Sequence, residues 1–241
     1  MNAENKRWIQ IALAFAILVA AARTAYILYE RHTASSADSA QATPPLNPDY
    51  YVIPKKLHPY DLKSAKQLTE QPVWVKEGYR YTYYPFAGGH ADLRHEAGQL
   101  LPIEKLQIKN VVLEATPGAS GQKQLMAVFD KDGKSYAVPI GTESGGDYQI
   151  YSDEMFFVQD PRELYKHWPA EVWQAVDNHQ VKQGMNELQA DFAIGMGTPE
   201  RSSDPDTKTV NYPHGGRPIS VTYRDGKAAV IRQEAGPGTE Q

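Results

Sequence analysis

Cysteine is absent from this chain of 241 residues. Its absence excludes disulfide bonds, a zinc site built on thiolates, a cysteine nucleophile and a lipid anchor on an N-terminal cysteine. Glycine motifs that cradle phosphate are also missing, and Ser120 stands in a Gly-Ala-Ser-Gly segment without the Gly-x-Ser-x-Gly spacing of a hydrolase nucleophile. We therefore predict a protein that is not an enzyme, with no catalytic residues and no cofactor.

An excess of positive charge is lacking as well. The chain has 25 Lys and Arg residues against 29 Asp and Glu residues, which gives a formal net charge of −4. The basic residues are scattered between acidic ones, so the sequence predicts no basic face for the phosphate backbone of DNA or RNA. We expect no nucleic-acid partner.

A single long apolar run lies near the N-terminus. As a helix, residues Trp8–Tyr29 would span ~33 Å, close to the ~30 Å of a bilayer core. The aromatic rings of Trp8 and Tyr26 favour the membrane interfaces, and Lys6 and Arg7 place the preceding end in the cytoplasm by the positive-inside rule. The sequence therefore predicts a single-pass inner-membrane protein with a cytoplasmic N-terminus and a soluble part in the periplasm.

A cleaved signal peptide is the alternative interpretation of this run. The small residues Ala20–Ala22 are typical of the neighbourhood of a cleavage site. Apolar character resumes at Ala25–Tyr29, which favours a retained anchor over a cleaved leader. Both interpretations export the rest of the chain.

Composition divides the chain into five segments, and the expected fold class is α+β. Residues 32–48 are small and polar and include three prolines, so they cannot bury enough apolar surface to fold and should act as a tether. The predicted segments are a cytoplasmic tip and transmembrane anchor (1–31), a flexible linker (32–48), a β-rich barrel-like domain (49–158), an α+β module (159–233) and a disordered tail (234–241).

The domain 49–158 is predicted to be a small, strongly bent sheet or partly open barrel. Its strand-like runs are Val73–Lys76, Tyr79–Tyr84, Gln107–Ala115 and Leu125–Phe129. The pair Asp132-Gly133 stands between apolar stretches, and so does Asp225-Gly226 further along the chain. Such pairs accept the positive φ of a tight turn, so each predicts a hairpin.

The module 159–233 begins with a helical pattern. Apolar side chains recur every three or four residues in Pro161–His179, and Pro169 is expected to break this helix. A second helix should start at Asn186, which has capping-box spacing to Gln189, and should stop at residues 195–199. Three short strands are expected to follow, at Thr207–Tyr212, Ile219–Tyr223 and Ala228–Arg232.

Residues 181–232 contain a series of features in a fixed order: a Gly-Met pair, a capped helix ending in Gly-x-Pro, a tyrosine and a strand-Asp-Gly-strand unit. The residues of this pattern are Gly184, Met185, Leu188, Gly197, Pro199, Tyr212, Gly226 and Val230. In them the segment resembles the SmpA/OmlA (BamE-like) family of small bacterial envelope proteins. The resemblance implies a helix pair packed on a three-stranded antiparallel sheet, without catalytic residues, in a non-enzymatic partner of envelope assembly. The chain departs from the family in lacking the lipidated cysteine, which favours the inner membrane, and in carrying an extra β-rich region.

Aromatic side chains supply the candidate interaction surface. The tyrosine-rich run offers platforms for a glycan or peptide, and the alternative is that these tyrosines are half-buried structural residues of a strand. Tryptophans follow at helical spacing, a pattern that is more often typical of a core than of a binding surface. The candidates are Tyr79, Tyr81, Tyr83, Trp168, Trp173 and Tyr212.

Histidines carry the remaining candidate chemistry. His90 and His95, with Asp92 and Glu96, form the densest cluster of His and acidic residues, but the His-x4-His spacing is not a recognised zinc pairing, and we predict no metal site. His214 stands in a Tyr-Pro-His-Gly-Gly turn and is expected to be a solvated loop histidine.

The leading functional hypothesis is a non-catalytic, membrane-anchored envelope protein that acts as an interaction or assembly module for envelope proteins or a cell-wall polymer. The alternative is a periplasmic sensor or cell-wall-binding module, in which Tyr79–Tyr84 recognise a glycan or peptide. A third hypothesis, a hydrolase built on the loop of His90 and His95, lacks a recognisable nucleophile.

Overall fold

The computed structural model describes residues 17–30, 46–116, 118, 121–201, 204 and 207–233. The chain forms two compact units, Met1–Tyr50 and Tyr51–Gln241. Of the predicted segments, residues 8–16 of the anchor, most of the linker and the C-terminal tail lie outside the described residues.

The first unit contains one described α-helix, α1, at residues 17–30. Its side chains are exposed throughout, and Leu18 and Tyr29 each expose 70% of their surface. Within the described ranges, no helix combines the length and the apolar character needed to cross a membrane. At the end of this unit a 3-10 helix begins at Pro48, the last residue of the predicted linker.

The second unit is an α+β structure that contains many short strands. Its described strands are β1 (Val73–Val75), β2 (Thr82–Ala87), β3 (His90–Ala91), β4 (Gly98–Gln99), β5 (Lys105–Leu106), β6 (Ile108–Ala115), β7 (Gln122–Lys131), β8 (Lys134–Ser144), β9 (Asp147–Ile150), β10 (Phe156–Phe157), β11 (Thr198–Pro199), β12 (Thr207–Tyr212), β13 (Ile219–Arg224) and β14 (Lys227–Gln233). Its described α-helices are α2 (Leu62–Ala65), α3 (Ser152–Met155), α4 (Pro161–Leu164), α5 (Ala170–Asp177) and α6 (Glu187–Ile194), with 3-10 helices at Lys66–Thr69 and His214–Gly216.

The largest sheet curls into a half-barrel in the order β3-β2-β8-β7-β6, with β4 paired to β2 and β9 paired to β8. All of its ladders are antiparallel. The turn between β7 and β8 has positive φ at Asp132 (52°) and Gly133 (75°), which confirms the predicted hairpin. The predicted tyrosine strand is confirmed only in its second half, because β2 begins at Thr82 and Tyr79 stands in the preceding turn.

The concave side of the half-barrel holds the first core. Phe129 on β7 has no exposed surface, and its ring lies 5.7 Å from that of Tyr83 in a T-shaped contact. The other apolar side chains of this cluster come from the half-barrel, from the small sheet β10-β1-β5 (Val73) and from short helices, among them the 3-10 helix that carries Leu68. The half-barrel thus buries one face in part against α2 and the 3-10 helix Lys66–Thr69.

The C-terminal sheet has the order β11-β12-β13-β14, all antiparallel. The three predicted strands are confirmed as β12, β13 and β14, and β11 adds a short fourth strand. Asp225 (φ 49°) and Gly226 (φ 70°) form the predicted tight turn between β13 and β14. The helices α5 and α6 pack on this sheet through the second core, where Trp173 and Phe192 meet Val210 and Tyr223.

The predicted helix at 161–179 is two shorter helices. Asp160 caps α4, because its carboxylate accepts the backbone N–H of Arg162 at 2.9 Å. Pro169 precedes α5 as its N-cap residue, which confirms the expected break.

The predicted capping box of α6 is confirmed. The Gln189 backbone N–H donates to Asn186 Oδ1 and the Asn186 backbone N–H donates to Gln189 Oε1, both at 2.9 Å. Gly195 ends the helix with a φ of 83°. The local sequence therefore determines both ends of this helix.

Replacing Asn186 by Ala should lower the free energy of unfolding by about 1 kcal/mol, because the Gln189 backbone N–H loses its side-chain acceptor at the start of α6. Urea denaturation of the full chain in detergent measures the change. Gln174→Ala, at an exposed position of α5, is the control and should stay within ~0.5 kcal/mol of wild type. Equal losses in the two variants would contradict a specific role for the cap.

Candidate binding cleft

Four of the six predicted surface aromatics belong to the core, which corrects their assignment to an interaction surface. Their exposed fractions are 9% for Tyr83, 6% for Trp168, 8% for Trp173 and 1% for Tyr212. The two tryptophan rings lie 5.2 Å apart and both contact Phe192. Aromatic side chains at helical spacing have bulk enough to fill the space between helices and sheet, and here they do so.

The other two predicted residues, Tyr79 and Tyr81, are half-buried and stand beside clefts. A cleft of about 340 Å³, which we name the His214 cleft, lies where the turn of Tyr79 meets the end of α6 and the turn after β12. Its lining residues are Gly78, Tyr79, Arg80, Ile194, Met196, Gly197, Thr198, Pro213 and His214.

The ring of Tyr79 organises this cleft. It makes edge contacts with His214 at 5.4 Å and with His179 at 6.5 Å between ring centroids. Glycine is needed at two places beside it, because a Cβ on Gly215 would stand 2.8 Å from Tyr79 Cε1 and a Cβ on Gly195 would stand 2.6 Å from the carbonyl oxygen of Gly78. Three loops that are distant in sequence therefore close on one aromatic ring.

The three residues joined by these ring contacts share an unusual backbone. Tyr79 (φ 60°), His179 (φ 51°) and His214 (φ 43°) all occupy the left-handed region, although none is glycine. Residues held in this way cost of order 1–3 kcal/mol each and concentrate at binding and catalytic sites. Tyr79 and His214 line the His214 cleft, and His179 contacts the Tyr79 ring without lining this cleft.

His214 is buried, so its prediction as a solvated loop histidine is wrong. It exposes only 7% of its surface, and neither ring nitrogen has a hydrogen-bond partner among the described residues. Burial lowers the pKa of His214, and the charges of Arg217 and His179 act in the same direction. The imidazole is therefore neutral near pH 7 and carries one donor and one acceptor, and both of these ring nitrogens are buried beneath the surface of the cleft.

A second cleft opens in the half-barrel where β2 and β8 separate. Their ladder contains only the pairs Tyr84–Ala137 and Pro85–Tyr136. Beyond this ladder, Pro139 on β8 has no N–H to extend the pairing with β2. The pairing of β8 with its other neighbour, β7, shifts register between Leu125 and Met126 of β7. The resulting tyrosine cleft has a volume of about 250 Å³ and is lined by Arg80, Tyr81, Thr82, Tyr84, Val138, Pro139 and Tyr151.

Arg80 lines both clefts. Its side chain is 63% exposed, and its Nη1 donates to Glu77 Oε2 at 2.6 Å. The same carboxylate oxygen accepts from the hydroxyl of Tyr81 at 3.5 Å. Burial and the neighbouring Glu77 raise the pKa of Tyr81, so this phenol stays protonated at neutral pH.

The predicted histidine cluster forms two separate pairs. His95 Nδ1 lies 2.7 Å from Asp92 Oδ2, and His90 Nδ1 lies 3.4 Å from Glu114 Oε2. Hydrogen bonding to His95 is the largest cause of the lowered pKa of Asp92. In the parts of the chain with described coordinates, no group of three or more His, Cys, Asp or Glu residues is arranged to hold a metal ion.

No family model, curated protein or solved structure matches this chain. The cleft must therefore be interpreted from its own geometry. Sequence reasoning selected Tyr79 but missed Arg80 and His179 and misjudged His214. The one local signal was the Gly215-Gly216 pair after His214, since consecutive glycines permit the close approach of the Tyr79 ring.

Proposed function

We propose that this protein is a membrane-tethered, non-catalytic interaction module of the bacterial envelope, which binds a peptide segment of a partner protein in the His214 cleft. The observation that carries the proposal is the buried imidazole of His214 without hydrogen-bond partners. A buried polar group left unsatisfied costs about 1–3 kcal/mol. Because both ring nitrogens are buried, a ligand regains this free energy only when the side chains that cover them move aside on binding.

The chemistry of the cleft favours a peptide. A peptide bond has one acceptor and one donor, and a neutral imidazole offers the complementary donor and acceptor. Ile194, Met196 and the ring of Tyr79 add an apolar wall that can receive a side chain. Concave sites with a mainly apolar lining and a few fixed polar groups are typical of ligand-binding sites.

The N-terminal helix supplies the proposed tether. Residues 17–30 are helical with exposed, mostly apolar side chains, and residues 8–16 have the same apolar composition. A helix that is apolar on most sides is stable in lipid, where its backbone hydrogen bonds are internally satisfied. On this proposal the protein crosses the inner membrane once, and residues 51–241 lie in the periplasm.

The SmpA/OmlA resemblance supports a role in envelope assembly. It implies two helices on an antiparallel sheet and no catalytic residues, and α5 and α6 pack in that way on β12, β13 and β14. The proposal that the chain is related to this family rests on the matching residues in segment 181–232.

A second candidate function is recognition of a cell-wall glycan, which the tyrosine cleft favours. Tyr81, Tyr84 and Tyr151 line this cleft together with the guanidinium of Arg80. Phenol rings present apolar faces together with polar hydroxyls, a combination that suits sugar rings.

Selection of peptides on the purified full-length protein in detergent tests the proposal. A phage-displayed library of random dodecapeptides should yield peptides that share a motif. His214→Phe, which keeps an aromatic ring but removes the donor and acceptor, should weaken the selected peptide about tenfold, as expected for one lost hydrogen bond of ~1.4 kcal/mol. His214→Gln, which retains a donor and an acceptor, should bind within about threefold of wild type.

The matched control is His167→Phe, the same change at an exposed position. It should leave the affinity of the selected peptide unaltered. Failure to select any peptide, together with binding of solubilised peptidoglycan strands, would refute the peptide proposal and favour glycan recognition.

A further inference from the structure

Exposed apolar side chains of the second unit concentrate in one segment, Tyr51–Tyr60. Tyr51, Ile53 and Tyr60 expose 66%, 86% and 76% of their surface. Among the described residues of this unit, Met196 is the only other large apolar residue that is exposed, at 47%. Apolar side chains gathered at the surface in this way mark sites that meet a partner or a membrane.

The packing of the segment fixes which of its side chains face solution. Val52 packs against the second core and Leu57 against the first core. The residues on either side of Val52 and of Leu57 are exposed. Such alternation is typical of an extended chain that has one side on the protein and the other side in solution.

Side chains behind the segment also hold its backbone. The N–H of Lys55 donates to Gln159 Oε1 at 2.9 Å. The N–H groups of Leu57 and His58 donate to the two carboxylate oxygens of Asp153, at 3.0 Å and 2.8 Å. Because the backbone is held before any contact forms, little conformational entropy is lost when the exposed side meets another surface.

The segment and the two short helices that follow it are basic, in a chain whose net charge is −4. Residues 51–69 contain four lysines, all exposed: Lys55, Lys56, Lys63 and Lys66. Their one acidic residue, Asp61, is half-buried and caps α2 by accepting the Ser64 backbone N–H at 2.6 Å. The solution-facing side therefore combines apolar side chains with unopposed positive charge.

Carboxylates of the neighbouring elements do not cancel this charge. Asp153 is only 15% exposed, and both of its oxygens already accept backbone N–H groups of the segment. The exposed carboxylates at the edges are Glu70 and Glu154, two against the four exposed lysines. Lys76 adds a further positive charge, which interacts with the charges of Asp153 and Glu154.

We infer that Tyr51–Tyr60 docks on the surface of the inner membrane, with the two tyrosine rings and Ile53 in the lipid interface and the lysines against the phosphates of anionic phospholipids. The inference rests on the proposed membrane tether, since this segment is the part of the second unit that follows first after the predicted linker 32–48. Tyrosine favours the membrane interface, and lysines beside apolar side chains strengthen the attraction to anionic lipids. A second copy of the chain fits this side poorly, because a symmetric contact would bring lysines against lysines.

The absence of cysteine makes a single-site probe of this contact possible. Ile53→Cys carries the fluorophore NBD on the full-length protein in lipid nanodiscs, whose lipids bear a nitroxide quencher near the headgroup. In discs with 30% phosphatidylglycerol the probe should shift to the blue and be quenched. In discs of phosphatidylcholine alone, or in 0.5 M NaCl, quenching should fall to the level of a probe at Gln174→Cys, an exposed position of α5.

Lysine variants measure the electrostatic part. Lys56→Gln should lower the ratio of docked to undocked protein about fivefold, the factor expected for one lysine near an anionic surface. Lys134→Gln removes an exposed lysine from the hairpin between β7 and β8 and should leave this ratio unaltered. The urea midpoints of Ile53→Cys and Lys56→Gln should match that of wild type, which separates lost docking from lost folding.

A second probe distinguishes failure of the docking from failure of the tether. Leu18→Cys, labelled in the same way, should be quenched by nitroxides deep in the acyl chains if the N-terminal helix spans the disc. Quenching at residue 18 without quenching at residue 53 would overturn the docking and leave the tether standing, whereas no quenching at either site would overturn both.

Two further results would also overturn the inference. Equal quenching at residue 53 with and without phosphatidylglycerol would show that the anionic headgroups are not recognised. Disulfide formation between unlabelled Ile53→Cys chains in detergent, with no quenching of the labelled protein in discs, would assign the surface to a second copy of the chain.

Discussion

Replacing Phe129 by Ala should lower the free energy of unfolding by about 3–5 kcal/mol, the largest loss that we expect from a single substitution in this protein. The ring has no exposed surface and stands at the centre of the first core. Its neighbours Tyr83 and Tyr136 lie 5.7 Å and 6.1 Å away and also contact each other, so they cannot both move into the space left behind. Urea unfolding of the full chain, followed by circular dichroism, measures the change.

Phe86→Ala is the matched control, because the same ring is removed from a half-exposed position on β2. Phe86→Ala should cost about 1 kcal/mol, which is less than half of the Phe129 loss, because folding buries less apolar surface at this position. A loss below ~1 kcal/mol for Phe129→Ala would contradict its central place in the core.

The variant Phe129→Ala also tests the predicted boundary between the domains 49–158 and 159–233. Trp168 and Trp173 belong to the second core and Trp74 packs against it, so the tryptophan fluorescence of the described residues reports mainly on that core and not on the surroundings of Phe129. If the two cores unfold together, Phe129→Ala shifts the fluorescence transition by as much as the circular dichroism transition. A fluorescence midpoint that stays at the wild-type value would indicate two independently folding domains.

A second large effect is expected from Asp191 on α6. Burial, reinforced by the charge of Glu187, raises the pKa of Asp191 from 3.8 to about 7, and hydrogen bonding from Tyr212 opposes the shift. Its Oδ1 has no hydrogen-bond partner within the described structure. The Tyr212 hydroxyl in turn lies 2.7 Å from that of Tyr223, so the carboxyl ends a short buried polar chain.

The sign of the pH dependence follows from this raised value. Between pH 4 and pH 7 the folded protein holds a proton on Asp191 that the unfolded chain has lost, so stability falls as pH rises through this window. A pKa difference of this size corresponds to ~4 kcal/mol, and the penalty is complete above pH 7. We expect Asp191→Asn, which resembles the protonated acid, to be more stable than wild type at pH 8 and about equal to it at pH 4.

Urea unfolding of both proteins from pH 4 to pH 8 gives the difference directly. Tyr223→Phe serves as the control, because it removes a hydroxyl from the same polar chain but leaves the carboxyl in place. It should be less stable than wild type by about 1 kcal/mol and should retain the fall in stability with rising pH. A constant difference between Asp191→Asn and wild type across this range would show that Asp191 is ionised throughout.

Asp191 is connected to the His214 cleft through the packing of Tyr212. Gly197 lines the His214 cleft, and a Cβ at this position would stand 2.8 Å from Tyr212 Cε1. The ring that carries the buried hydroxyl therefore supports the wall of the cleft. A change in the packing of Tyr212 would alter the surface that the proposed peptide meets.

Features that depend on neighbours within a few residues could be predicted from the sequence. The capping box of Asn186 and Gln189, the break at Pro169 and the tight turns at Asp132-Gly133 and Asp225-Gly226 all follow from local backbone chemistry. The three strands of the C-terminal meander follow from the same kind of signal. These interactions form between residues that are already close along the chain, so no knowledge of the tertiary fold is needed.

The sequence by itself also determined an apolar run near the N-terminus, a cysteine-free chain and an α+β alternation of elements. Only the tertiary structure decided which aromatic side chains became core, since the spacing of Trp168 and Trp173 does not say whether a sheet covers them. It alone brought Tyr79, His179 and His214 together across more than one hundred residues of chain. The absence of cysteine restricted what the site could be, but long-range packing decided where it lies, because a cleft is formed by segments that meet only after folding.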